Sequence, residues 1–67
     1  MATRLVFNDN DNNEMECYLN DKGKVFLRVG QIGQDDDVYY SGFITLDKED
    51  VNQLINVLTQ LEQEMEE

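Results

Sequence analysis

The chain has 67 residues, a formal net charge of −10 and no histidine or proline. That length allows one domain, spanning 1–67, and leaves it short of core: ordering costs on the order of 1.5 kcal/mol per residue, and burial in so small a body returns about as much. Among the usual reinforcements, the single cysteine, Cys17, excludes an internal disulfide and the missing histidine excludes a zinc site of Cys and His ligands, which leaves oligomerisation.

Thr3 to Asn8 is short, β-branched and aromatic, and reads as a first strand closed by the polar run Asn8 to Glu14. Within that run Asp9, Asp11 and Asn13 match the first three ligand positions of a calcium-binding loop. Glu14 stands where such a loop needs glycine, and Asn20 where it needs a bidentate glutamate, so a solvated turn is expected instead.

Met15 to Asn20 alternates Met15, Cys17 and Leu19 against Glu16 and Tyr18, and Lys24 to Gln31 alternates Val25, Leu27 and Val29 against Lys24, Phe26 and Arg28. Between them Asp21, Lys22 and Gly23 form a three-residue loop with glycine at its left-handed position. The register follows: Leu19 opposes Val25, Cys17 opposes Leu27 and Met15 opposes Val29 on one face, while Tyr18 meets Phe26 and Glu16 meets Arg28 on the other. Asp35, Asp36 and Asp37 belong to a turn before a fourth strand, Val38 to Leu46.

From Asp47 the period changes from two to about 3.6, the mark of a helix. Asp47 is a suitable N-cap, Glu49 and Asp50 suit the positive end of the helix dipole, and Leu46 with Val51 has the spacing of a hydrophobic staple. Val51, Leu54, Ile55, Leu58, Leu61 and Met65 form an apolar stripe wider than one seam requires, a candidate core or dimer surface. A helix of ~19 residues would extend ~28 Å, longer than strands of this size need for cover.

The chemistry within reach is limited. With no imidazole, Ser41 and Cys17 lack an activating base, and so small a sheet offers little room for a cleft that paired carboxylates could use. Neither catalysis nor a cofactor is expected. The lone cysteine and the absence of any apolar run near the ~20 residues of a membrane span point to a cytoplasmic protein without leader or anchor.

Charge is unevenly spread: −3 over residues 1 to 20, −1 over 21 to 46 and −6 over 47 to 67. Two binding surfaces stand out. Tyr18, Lys22, Lys24, Phe26 and Arg28 interleave cations with rings on one face of the hairpin, as a platform for single-stranded nucleic acid would. Glu62, Glu64, Glu66 and Glu67 form an acidic patch suited to a basic protein partner.

The order of elements, with Gly23-Lys24-Val25-Phe26-Leu27-Arg28-Val29 and then Gly42-Phe43-Ile44-Thr45-Leu46-Asp47 leading into the helix, resembles the positive cofactor four family over roughly residues 15 to 62. The resemblance implies a single-stranded-DNA-binding coactivator that dimerises through its helices and binds along its β-ribbons. Members carry several basic residues on those ribbons; here Lys22, Lys24 and Arg28 stand alone, and Glu16 is placed to neutralise Arg28.

The expected fold is therefore α+β: a four-stranded antiparallel sheet in meander order with the C-terminal helix packed on one face, completed as a homodimer. The leading functional expectation is a non-catalytic interaction or regulatory module whose acidic helix meets a basic partner. The alternative is a single-stranded nucleic acid binder of the coactivator type.

Overall fold

Alternating side chains become two unlike faces once the strands pair. The computed structural model describes residues 3–66, and within them the chain runs β1 (Arg4–Asn8), β2 (Asn13–Leu19), β3 (Val25–Ile32), β4 (Val38–Leu46) and α1 (Lys48–Glu64). The strands form one antiparallel sheet in the order β1-β2-β3-β4, the meander expected from the sequence. Strand bounds differ from expectation by one or two residues at the loops; β4 keeps the range given by its composition.

The β2–β3 hairpin has the deduced register, Tyr18 opposite Phe26 and Glu16 opposite Arg28 included. Its turn follows from two residues. Gly23 adopts φ +76° and its N–H donates to the Asn20 carbonyl at 3.2 Å. The Asn20 side-chain oxygen accepts from the N–H groups of Lys22 (3.0 Å) and Lys24 (2.9 Å), which satisfies donors that the ladder leaves free. A Cβ on Gly23 would meet nothing within 4 Å, so substitution there costs only backbone strain. Gly23→Val is accordingly expected to lose about 1–2 kcal/mol of stability, and Lys22→Ala less than about 0.5 kcal/mol, read from urea midpoints. Equal losses would show that the left-handed residue lies elsewhere.

Between β3 and β4 the register slips: Val29 pairs with Gly42, but Gly30 pairs with Tyr40, so Ser41 is the extra residue of a β-bulge. The slip decides which β4 side chains share a face with which of β3. On the first face lie Leu5, Phe7, Met15, Cys17, Leu19, Val25, Leu27, Val29, Ile44 and Leu46, with no charged residue from any strand. On the second lie Arg4, Glu14, Glu16, Tyr18, Phe26, Arg28, Tyr40 and Phe43.

The helix begins as its sequence dictates. The Asp47 side chain accepts from the Asp50 N–H at 2.9 Å, and the Asp50 side chain accepts from the Asp47 N–H at 3.2 Å, closing a reciprocal capping box. The Asp47 carboxyl is held below its usual range, first by the Asp50 N–H and also by the charge of Lys24 nearby.

The expectation that α1 packs on a face of its own sheet is corrected here. The helix meets the sheet chiefly at β4, near Ile44, Thr45 and Leu46, and none of its described residues is buried. Asp47, in the β region at φ −85° and ψ −177° as an N-cap residue usually is, links the end of the strand to the first helical turn. The helix therefore leaves from a corner of the apolar face without lying across it. The radius of gyration is 13.7 Å, whereas a compact chain of this length has about 11 Å. Among the described residues no apolar side chain is buried, and no helix is long and apolar enough to cross a membrane.

Candidate binding face of the sheet

Glu16 is the one buried side chain among the described residues, at 3% exposure, and it organises the second face. It stands on β2 between cations from both neighbouring strands: Arg4 Nε of β1 donates to one carboxylate oxygen at 2.5 Å and Arg28 Nε of β3 to the other at 2.7 Å. The Arg4 hydrogen bond, opposed by desolvation and reinforced by Arg28, holds the Glu16 carboxyl below the usual carboxylate range. The same pairing raises Arg28 further above its ordinary value.

Arg28 continues the network sideways. Its guanidinium lies 3.8 Å from the centroid of the Tyr40 ring, a cation–π stack, and the Tyr40 hydroxyl donates to Glu14 at 2.6 Å. Donation to Glu14 raises the Tyr40 pKa, so the phenol stays protonated well into alkaline solution. Arg4, Glu16, Arg28, Tyr40 and Glu14 thus form one chain of interactions across all four strands.

Beside it runs a row of rings. Tyr18 of β2 and Phe26 of β3 are 5.4 Å apart between centroids, and Phe26 is again 5.4 Å from Phe43 of β4. Both contacts are tilted, within the spacing favoured for aromatic pairs. Phe43 is 73% exposed, an unusual state for a phenylalanine centred in a strand. The charges borne by strand residues on this face are Arg4, Arg28, Glu14 and Glu16, which cancel. On a chain of net charge −10, this face carries no net charge from its strand residues and includes two arginines.

Of the residues singled out from sequence, Tyr18, Phe26 and Arg28 come together here. Lys22 sits in the exposed turn, and Lys24 stands beside Asp47 at the margin. Arg4, Tyr40 and Phe43 were not among those singled out. Arg4 shares the alternation of β1 and could have been placed by it; Tyr40 and Phe43 could not, because the bulge at Ser41 determines how each lies over β3.

The acidic patch is less organised. Glu62 and Glu64 end α1, with Glu64 accepting from the Gln60 side-chain amide at 3.1 Å; Glu66 follows the helix, and Glu67 lies outside the described residues. The apolar stripe Val51, Leu54, Ile55, Leu58, Leu61 and Met65 runs along α1 and onto Met65, its C-cap, largely exposed.

The two aspartate loops are engaged in their own turns. Asp9 accepts from the Asn13 side chain (2.9 Å) and from the N–H groups of Asn13 (3.0 Å) and Asp11 (2.8 Å), which lower its pKa. Asp35 accepts from the Tyr39 hydroxyl at 2.8 Å and the Asp37 N–H at 3.2 Å, with the same consequence. Asn12 and Asp36 take the left-handed conformations that these turns require.

Comparison of the chain with protein-family models, with curated proteins and with solved structures returned no match.

Proposed function

We propose that this protein is a non-catalytic binding module whose working surface is the second sheet face, and that the ligand is single-stranded nucleic acid. The observation that carries the reading is the row Tyr18, Phe26 and Phe43, three rings from adjacent strands at 5.4 Å intervals, flanked by Arg4 and Arg28. Single strands expose the π-faces of their bases, and a row of rings offers sequence-tolerant stacking worth ~1–3 kcal/mol per base. Arg4 keeps 63% of its side chain exposed while paired, so phosphate can reach it without opening a cavity.

Glu16 competes with phosphate for both guanidinium groups, and this gives the reading a signature. Fluorescence anisotropy of a labelled single-stranded oligonucleotide should report binding that weakens steeply as salt rises. Phe26→Ala should cost ~1–3 kcal/mol of affinity through lost stacking, whereas Glu16→Gln should tighten binding and steepen its salt dependence by freeing the arginines. Absence of binding at low salt would overturn the proposal.

A second reading, in which the acidic end of α1 meets a basic partner protein, is favoured by Glu62 and Glu64 standing in a final turn without any basic residue. It draws less support, because residues 51–61 carry no charge and the acids stand only at the helix ends. Replacing Glu62, Glu64 and Glu66 with Gln would weaken capture of a basic protein if this surface were the one in use.

A further inference from the structure

The first sheet face and the helix stripe are two uncharged apolar surfaces left largely uncovered among the described residues. Leu5, Phe7, Leu19, Val29 and Ile44 are 44–54% exposed on the sheet, and Ile55, Leu58 and Leu61 47–54% on the helix. The amount of uncovered surface says what kind of partner is missing. The accessible area is 5839 Å², whereas a folded monomer of 7.8 kDa is expected to expose about 4,400 Å². The excess, about 1,400 Å² per chain, corresponds to roughly 2,800 Å² for a pair of chains, inside the range of obligate homodimers and well above the ~1,600 Å² of an ordinary transient complex.

We propose that a second copy of this chain covers these surfaces, the apolar stripe of each helix lying against the first face of the other copy's sheet. Three features select a second copy over a foreign partner. A sheet face and a helix stripe are the two halves of a standard α-on-β layer, and the chain carries both unpaired. Its own helix does not complete the layer: it departs from the Leu46–Asp47 corner, meets the sheet chiefly at β4, and has no buried residue among those described. Exchange between two copies supplies each sheet with a helix in one closed, two-fold arrangement. Charge does not oppose it: no strand residue on the first face is charged, residues 51–61 of the helix are uncharged, and the acids fall at the rim. The second sheet face stays open, so this inference stands independently of the function proposed above.

Two measurements test it. Sedimentation equilibrium of the wild-type chain at micromolar concentration should give twice the chain mass, and a folded monomer would overturn the proposal, leaving the apolar face to a foreign partner. Contact between unlike surfaces can be read because each chain has one thiol. Wild type, with Cys17 on the first sheet face, is mixed with a variant carrying Cys17→Ser and Leu58→Cys, unfolded and refolded together, and treated with a short bismaleimide. Intact mass should report the mixed species as the main cross-linked product. Linkage only between two Leu58→Cys chains would indicate that helices meet helices alone, and would overturn the exchanged arrangement even if the dimer mass were found.

Discussion

Leu58→Asp is expected to abolish the folded state at micromolar concentration, with loss of both the helical circular-dichroism signal and the dimer mass. In the isolated chain Leu58 is 53% exposed, and a carboxylate at so exposed a helix position would change stability by less than about 0.5 kcal/mol. Against the partner's sheet the same carboxylate would be buried among apolar side chains without a counter-ion, a cost of several kcal/mol on a domain with little to lose. The contrast makes the variant decisive. Retention of wild-type stability would mean that the stripe faces water in solution, and the exchanged dimer would have to be abandoned. Leu58→Met, close in volume and apolarity, should by comparison cost less than about 1.5 kcal/mol.

Gly30→Ala is expected to be the most damaging single-methyl change in the sheet. Gly30 is buried at the register slip, where a Cβ would stand 2.5 Å from the Tyr39 carbonyl oxygen and 2.6 Å from the Tyr40 Cα. Both are backbone atoms, so relief requires the bulge to shift rather than a side chain to rotate. A loss at the upper end of the ~1–3 kcal/mol typical of overpacking follows, read as a lowered urea midpoint. The bulge also places Tyr40 over Arg28 and Phe43 beside Phe26, so any folded Gly30→Ala should bind oligonucleotide more weakly than its stability alone would imply. Gly42→Ala is the control: a Cβ there approaches nothing closer than a Val29 methyl at 3.9 Å. Equal effects at the two glycines would remove the bulge from the argument.

Much of the architecture was legible in the residues because it rests on local rules. Alternation in 15–19 and 25–29 assigned side chains to opposite faces, since successive Cβ atoms in a strand point to opposite sides. Gly23 set the turn, and the turn set the register of β2 on β3. The change of period at Asp47, a suitable N-cap with Glu49 and Asp50 in the first turn behind it, located the start of the helix.

What the tertiary structure alone decided are the relations between segments distant in sequence. Sequence spacing paired Glu16 with Arg28, but only the β1–β2 register brought Arg4 to the same carboxylate, twelve residues away. No pattern in 38–46 announced Ser41 as an extra residue, because a bulge is a mismatch between two strands and not a property of either one. The helix stripe offers an apolar surface, but a periodic stripe does not say which surface would meet it, and within the chain none of its described residues is buried. Its own sheet was the expected answer; instead the helix leaves the sheet after Asp47 and meets it chiefly at β4, a relation that no pattern within residues 48–64 encodes.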